Sequence, residues 1–309
     1  KAIGAFNASG LPHRRIEEWK YTDLRVNLKD VVPPAVSDAT AVTAGDLAAA
    51  LGALADIDAA RMVFVNGSFR ADLSDAAKIA GLDVQPLSHA LSSAQDKVAD
   101  GLTRATGPDN DATIALNTAF MTDGAIMRIL DPLSLVTLGG IVFAAAGATA
   151  QLTTVRNVIA AGAGATATII EAHVRLERAA SGQTNTLTEL TVGKAATLAH
   201  VKVAAGDGSG VHLANWNVSL GRDATYRGFQ YTSGQALARN QINAVYAGEG
   251  GKLDVSGAYL VRGKEHVDTT LVVDHAVPHC ESRELFKGVL DDRGRGVFQG
   301  KIIVRPDAQ

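Results

Sequence analysis

The chain has 309 residues, a formal net charge of −3, 47% hydrophobic residues and 20% charged residues. This composition is typical of a globular protein, and it excludes both a disordered chain and a strongly basic nucleic-acid-binding protein. A single cysteine, Cys280, excludes an internal disulfide framework and any CxxC metal site, and it fits a reducing compartment. Because the first eight residues show no signal-peptide pattern, we expect a cytoplasmic protein of one or two domains.

The first part of the chain, residues 1–120, carries mixed helix and strand signals and is predicted to be an N-terminal α/β region. Apolar residues at helical spacing predict a helix over Thr43–Leu54, with Thr43 as its N-cap. A second helix is predicted over Pro86–Arg104, capped by Ser88.

A β-hairpin is predicted between these two helices. Arg61–Val65 is a short apolar run typical of a strand. Asn66-Gly67 is a strong signal for a two-residue turn, because both positions tolerate positive φ angles. The chain is expected to return along Ser68–Leu73.

From residue 121 to residue 309 the helix signals almost vanish, and short apolar runs alternate with glycine-containing turns. A turn-plus-strand unit recurs at Gly164, Lys194, Arg222 and Gly250, at steps of 30, 28 and 28 residues. Such a period indicates a repeat architecture in which each turn of chain covers the edge of the previous one. Aromatic residues make up only 5%, which disfavours a propeller. The sequence therefore predicts a mainly β protein with a right-handed parallel β-helix core.

One uncharged stretch, Pro132–Val155, is about long enough to span a membrane. It contains Gly139, Gly140 and Gln151, which are more typical of buried strands than of a membrane helix. We therefore predict strands here and no membrane segment.

The motifs of common enzymes are absent: the sequence has no P-loop, no HExxH and no GxSxG. The adjacent carboxylates Asp291-Asp292 precede Arg293-Gly294 and are predicted to form a solvated turn. A cluster near the C-terminal end holds His266, His275, His279 and Cys280. Sulfur with imidazole suits iron or zinc, whereas the simpler interpretation is a buried thiol with surface imidazoles. Both interpretations remain open from the sequence.

Two segments carry a family resemblance. Leu11–Arg25 reads LPHRRIEEWKYTDLR, and His275–Val304 reads HAVPHCESRELFKGVLDDRGRGVFQGKIIV. Both resemble the SufB/SufD family of the Suf iron–sulfur cluster assembly system, and its SufD branch in particular. Asn117–Gly124 and Thr154–Ile159 occur in the expected order between them. In the first segment, Trp19 and Tyr21 are expected to anchor an N-terminal arm by packing on the core.

The resemblance implies a non-catalytic scaffold subunit with a parallel β-helix core. Such a subunit pairs with SufB and the ATPase SufC, supports iron acquisition and cluster formation, and forms a homodimer when alone. ATP binding by SufC is expected to rearrange the SufB–SufD interface. No tightly bound cofactor is expected in this chain, and iron or an iron–sulfur cluster is expected only transiently, in the full complex.

The resemblance also bears on the site residues. The family's Cys-x-His ligand motif and its C-terminal helical part are expected beyond residue 309, so no metal ligand and no cofactor-binding residue is assigned here. The candidates for a position near the partner interface are His275, His279, Cys280 and Lys287, because they cluster in the best-matched segment.

Two alternative functions stay open at this point. A β-helix enzyme acting on polysaccharide needs clustered carboxylates, whereas Asp223, Glu249 and Asp254 are scattered over different units. A purely structural β-solenoid that binds a partner by its edge or face is the second alternative.

Overall fold

The structure is a computed structural model that describes residues 2–30, 32–36, 41–75, 81–93, 111–130 and 137–308. Half of the chain is strand and 18% is helix, so the predicted mainly β class is confirmed. The α-helices are α1 (Ala2–Ser9), α2 (Leu24–Asn27), α3 (Ala44–Leu51), α4 (residues 87–93) and α5 (Ala112–Phe120). Short 3-10 helices cover Glu17–Trp19, Gly52–Asp56, Ala71–Leu73 and Pro306–Ala308.

The strands are numbered in chain order. They are β1 (Ala60–Val65), β2 (Ser68–Phe69), β3 (Leu82–Pro86), β4 (Ala125–Ile129), β5 (Thr137–Ala145), β6 (Leu152–Ala161), β7 (Thr166–Arg175), β8 (Gln183–Val192), β9 (Thr197–Ala205), β10 (Val211–Leu220), β11 (Thr225–Ser233), β12 (Leu237–Tyr246), β13 (Lys252–Val261), β14 (His266–His275), β15 (Glu281–Leu290) and β16 (Arg295–Val304).

The described strands form two eight-stranded sheets. The first sheet has the order β2-β1-β5-β7-β9-β11-β13-β15, and the second has the order β3-β4-β6-β8-β10-β12-β14-β16. From β5 onward the chain alternates between the sheets, and from β6 onward each strand pairs in parallel with the strand two positions earlier. This winding makes a β-solenoid of about 6 turns.

The register of the strands explains the sequence period. Thr197 on β9 pairs with Thr225 on β11, and these partners are as far apart in sequence as the recurring turns at Lys194 and Arg222 that precede them. The spacing between the recurring tight turns in the sequence is therefore the length of one full winding of the solenoid. Side chains alternate along each strand, so every second residue points between the sheets and forms the main apolar core.

Helix α3 confirms its predicted start. Thr43 Oγ1 accepts the backbone N–H of Asp46, and the Asp46 carboxylate accepts the N–H of Thr43, which is a capping box. The α-helix ends at Leu51 and continues as a 3-10 helix over Gly52–Asp56. Leu47 and Leu51 pack on the outer face of the first sheet, where Val142 and its neighbours lie.

The predicted hairpin is present, but its second strand is short. Asn66 and Gly67 both have positive φ, and Phe64 pairs with Phe69 across the turn. The strand β2 ends at Phe69 instead of continuing to Leu73. The reason is Ser74, whose Oγ accepts the N–H of Val63 and donates to the carbonyl of Arg70, so a side chain fills the place of a backbone partner.

The prediction of Ser88 as a helix cap is wrong. The helix begins at residue 87, so Ser88 lies in its first turn. Its N–H and its hydroxyl both donate to Asp123, each at 2.9 Å, so a carboxylate distant in sequence satisfies the free helix end. The predicted residues 94–104 of this helix lie outside the described part of the chain.

The uncharged stretch tested for a membrane segment contains strands. Thr137–Ala145 forms β5 and Leu152 begins β6, as predicted for buried strands. Within the described ranges, no helix is both long enough and apolar enough to cross a bilayer.

Candidate functional site

A group of buried titratable side chains lies between the two sheets, where a solenoid is normally apolar. They form what we call the interior polar cluster: Glu171, His173, His200, Lys202 and His212. Glu171 and His173 stand on β7, His200 and Lys202 on β9, and His212 on β10. Their exposed fractions run from 0% to 7%, so each must find its hydrogen-bond partners inside the protein.

Glu171 is the centre of the interior polar cluster. Its Oε1 accepts from His173 Nε2 at 2.6 Å, and its Oε2 accepts from Thr188 Oγ1 at 2.9 Å and from His200 Nε2 at 3.2 Å. Burial by itself raises the pKa of Glu171, but the bonds from His173 and His200 outweigh burial and hold the pKa well below its ordinary value. The carboxylate is therefore ionised, and each imidazole points a proton at it.

Lys202 is the positively charged member of the interior polar cluster. Its Nζ donates to Asn240 Oδ1 at 2.6 Å, lies 3.4 Å from His212 Nε2, and sits 5.7 Å from the centre of the Trp216 ring. Burial lowers the pKa of Lys202 to about 8, although the Glu171 charge opposes that shift. Burial and the Lys202 charge also lower the pKa of His212 well below its ordinary value, so this imidazole is neutral.

The cluster reaches a cavity at one edge of the solenoid. The rings of His173 and His212 lie 4.8 Å apart, and both line a cavity of about 70 Å³. Gln151, Thr153 and Thr184 lie on the cavity wall with them. The site is therefore a set of buried charges that meets a small cavity through two imidazoles.

The charge state of Lys202 predicts a pH dependence of stability. We expect the free energy of unfolding to rise by about 2 kcal/mol between pH 7 and pH 10. The folded-state pKa of Lys202 is about 8, against an ordinary value of 10.5. Below about pH 8 both states carry the proton and the burial penalty is complete, whereas above about pH 10.5 neither state carries it and the penalty is gone. Urea unfolding at each pH measures the rise.

The Lys202→Met variant is the control for this prediction. It has no ammonium group to neutralise, so its stability should rise much less over the same range. The comparison stops at pH 10, because burial raises the pKa of Tyr226 well above 10.0 and its titration would then act in the opposite direction. An equal rise in both proteins would contradict the assignment.

Sequence reasoning missed the interior polar cluster. The local signal exists, since Glu171 and His173, and likewise His200 and Lys202, are two residues apart within apolar strand patterns. Two titratable side chains at alternate strand positions share one face. Which face is internal, however, depends on the pairing of strands that belong to successive turns of the solenoid.

The predicted interface candidates lie elsewhere, and three of the four surround one corner. His275 ends β14 and packs against Tyr246 with ring centres 4.7 Å apart and planes tilted by 45°, and its Nε2 lies 3.3 Å from Ser282 Oγ. His279 is exposed in the following loop, and Cys280 is half-buried with its Sγ 3.7 Å from the carbonyl oxygen of Gly248.

The fourth candidate, Lys287, lies apart from that corner. It is exposed on β15, and it faces outward because its neighbour Phe286 packs on the core. No hydrogen bond or ion pair of the described residues joins Lys287 to the other three candidates. In the same described ranges, no group of three or more His, Cys, Asp or Glu side chains could hold a metal ion. The roles of the four residues stay predictions.

The predicted solvated turn is present. Asp291-Asp292 lie in an exposed turn between β15 and β16.

One of the two predicted aromatic anchors is exposed. Trp19 is 3% exposed and packs with Leu24 against the second sheet, whereas Tyr21 is 46% exposed. Tyr21 is therefore not a core anchor, because only the side chain of Trp19 turns toward the sheet.

Trp19 packs on a buried ion pair of the second sheet, and this contact holds the N-terminal arm in place. Arg239 on β12 places its guanidinium 4.5 Å from the centre of the Trp19 ring and pairs with Asp268 on β14 at 2.6 Å. Thr22 donates to Asp268 and lies 2.9 Å from His266 Nε2. We call these five residues the arm latch.

Two family models match this chain. Residues 142–309 match the model described as SUF system FeS cluster assembly, SufBD core domain, and residues 1–135 match the model described as SufBD protein N-terminal region. The core match starts within β5 and continues to the last residue, so it covers the two ranges that hold the interior polar cluster and the corner at His275.

Curated relatives agree with the family models. The chain is 28% identical over 307 residues to the iron-sulfur cluster assembly protein SufD of Escherichia coli, with 97% of this chain and 67% of the relative covered. It is 26% identical over 311 residues to a SufBD family protein of Synechocystis sp., at the same coverage of 97% and 67%. A SufBD family protein of Mycobacterium leprae is 32% identical over 145 residues, which cover 45% of this chain and 37% of the relative. The chain thus spans about two thirds of the length of the first two relatives.

Proposed function

The chain belongs to the SufBD family of iron–sulfur cluster assembly proteins, and from that membership we propose that it is a non-catalytic scaffold subunit of a Suf complex. It pairs with SufB and with the ATPase SufC, and it supports iron acquisition and cluster formation. The observation that carries this proposal is the match of the SufBD core model to residues 142–309. The similarity to SufD of Escherichia coli over 97% of the chain supports the SufD-like role.

The architecture suits a scaffold. From β5 onward, consecutive turns are joined by continuous parallel ladders of eight to ten residue pairs, so the solenoid is stiff along its axis. A stiff body can transmit a displacement applied at one surface to another surface. In the proposed mechanism, ATP binding by SufC moves the SufB-type and SufD-type subunits as rigid bodies and opens their interface, where iron and sulfur meet.

Co-purification tests the proposal. The protein in its full natural length, tagged, is expressed with the SufB and SufC proteins of the same organism. We expect a stable complex of all three, and a homodimer when the protein is expressed alone. A monodisperse protein that retains neither partner would overturn the scaffold assignment.

The same assay tests the predicted interface residues. Combined replacement of the exposed His279 and Lys287 by alanine should weaken the retention of SufB by about tenfold or more, as expected for the loss of contacts worth about 1.4 kcal/mol. Arg293→Ala, in the exposed turn after β15, is the matched control and should retain SufB normally. Normal retention by the double variant would remove His279 and Lys287 from the proposed interface.

A further inference from the structure

The outer face of the first sheet carries an apolar band that runs across its strands. The central row of the band consists of register partners on successive strands, which are Val63, Val142, Ala172, Val203, Tyr231 and Ala258. Over β1, β5 and β7 the band is covered, because Leu47 and Leu51 of α3 and Leu54 of the following 3-10 helix pack on it. A helix is therefore what this band binds within the chain itself.

Over β9, β11, β13 and β15 the band continues, and none of the helices in the described ranges lies over it. The register keeps the rows intact, since Leu285 follows Ser256 in the row of Phe229 and Val289 pairs with Leu260. Apolar side chains that share one continuous exposed surface are typical of an interaction site. We call this part the open band, and its large exposed members are between 38% and 64% exposed: Phe229, Leu260, Leu285 and Val289.

The backbone beneath the open band decides what kind of segment can cover it. Strands β9, β11 and β13 are each paired on both sides, so they offer no row of free backbone groups. A single extended segment laid on this face would bury its own N–H and C=O groups without partners, which is costly. A helix satisfies its backbone internally and presents only side chains. The chemistry of the face therefore favours a helix, as on the neighbouring strands.

The dimensions of the open band fit one helix better than a second copy of the chain. Four strands at a spacing of about 4.8 Å make it about 19 Å wide, which about four turns of helix span. Along the strands, its three apolar rows cover about 13 Å, close to the diameter of a helix of about 10 to 12 Å. The resulting area of roughly 250 Å² is far below the roughly 800 Å² per partner of a stable protein interface.

The charges beside the open band indicate the sign of the helix. Lys252 and Glu281 lie 3.4 Å apart and balance each other. The other charged side chains at outward positions of β11, β13 and β15 are three cations and one carboxylate, namely Arg227, Arg283, Lys287 and Asp254. This local excess of positive charge contrasts with the net charge of −3 of the whole chain. Acidic side chains beside the apolar face of a helix would complement it.

We propose that the open band is a docking surface for an acidic amphipathic helix of a partner protein. The apolar face of that helix packs on Phe229, Tyr231 and Leu260, and its carboxylates lie toward Arg227 and Arg283. Binding at this surface requires neither SufB nor SufC, so the inference does not rest on the proposed function.

Binding of a synthetic helix tests the proposal. The probe is a fluorescent peptide of about 15 residues with leucines at positions i, i+3, i+4 and i+7 and glutamates beside them. Fluorescence anisotropy with the unaltered chain should show saturable binding, which Phe229→Ser combined with Leu260→Ser weakens by about tenfold or more. Val36→Ser, at a 62% exposed valine outside the open band, is the matched control and should bind normally. Urea unfolding verifies that the variants fold.

Charge reversal gives a second, independent measurement. Arg227→Glu should weaken the binding of the glutamate peptide and strengthen that of the same peptide with lysines in place of the glutamates. A peptide of the same composition in scrambled order, which presents no apolar face, should not bind. No saturable binding by the unaltered chain, equal binding of the scrambled peptide, or no effect of the open-band variants would overturn the proposal.

Sedimentation of the chain without peptide tests the other occupant. If a dimer of the unaltered chain is lost on combining Phe229→Ser with Leu260→Ser, a second copy covers the open band and the proposed helix is wrong. We expect instead that these replacements leave both the oligomeric state and the co-purification with SufB and SufC unchanged. The docking surface and the proposed function therefore fail separately.

Discussion

Replacement of Glu171 by alanine is expected to destabilise the protein by about 4 kcal/mol, within the range for removing one partner of a buried charged network. The side chain is fully buried and accepts hydrogen bonds from three donors, on His173, Thr188 and His200. Its loss leaves these donors, which are at most 7% exposed, without a partner. It also leaves the buried ammonium of Lys202 without the nearby negative charge that favours it. Urea unfolding at pH 7 measures the change.

Glu177→Ala is the matched control for Glu171→Ala. Glu177 lies just beyond the end of β7 and is exposed, so its replacement should change the free energy of unfolding by no more than about 0.5 kcal/mol. A loss of similar size in both variants would show that Glu171 does not hold the interior polar cluster together.

Replacement of Asp268 by alanine is expected to cost about 3 to 5 kcal/mol. Asp268 and Arg239 are 0% and 1% exposed and pair at 2.6 Å, so the variant leaves a guanidinium buried without its counter-charge. The same change removes the acceptor of Thr22, which ties the N-terminal arm to the second sheet. We therefore expect faster proteolysis within residues 11–25 together with the fall in stability, measured by limited digestion and urea unfolding.

Asp274→Ala is the control for the arm latch. Asp274 stands on the same strand and pairs with Arg305 at 2.7 Å, but Arg305 is 54% exposed and keeps its hydration when the partner is lost. Its loss should therefore cost no more than about 1 kcal/mol and should leave the arm protected. Equal losses in the two variants would mean that the arm latch adds nothing beyond an ordinary surface pair.

The solenoid could be predicted from the sequence because its cause is local and repeated. Turns such as that at Lys194-Ala195 and that at Arg222-Asp223 each need a residue with positive φ, and both Ala195 and Asp223 adopt it. Small residues at these corners recur at nearly the same spacing, which is visible without any structure. The cap of α3 was predictable for the same reason, since Thr43 and Asp46 satisfy each other within one turn.

The interior polar cluster could not be predicted in this way. The sequence directs attention to His275, His279 and Cys280 because they are close in sequence, whereas the structure joins His200 to Glu171 across 29 residues. Glu171 also meets Thr188, which belongs to the other sheet. Which strands face each other, and in which register, decides these contacts, and no local pattern encodes it.

The N-terminal arm shows the same limit. Its WKYTDL segment is distinctive, and packing of Trp19 follows from its size and apolar ring. The partners of the segment lie far along the chain, however, since Arg239 bonds the carbonyl of Glu18 and Asp268 accepts from Thr22. An isolated segment cannot reveal that its role is to cover a buried ion pair.

The size of a single turn has a consequence for how such a protein changes during evolution. On the second sheet, the sequence separation between paired residues shortens from β6–β8 to β8–β10 and again to β10–β12, while the strand pairing stays in register. The corners therefore absorb insertions and deletions of a few residues without disturbing the ladder. The tolerated unit of variation is the corner loop or the whole turn, so related proteins can gain or lose length in those steps while the strands of neighbouring turns keep their pairing.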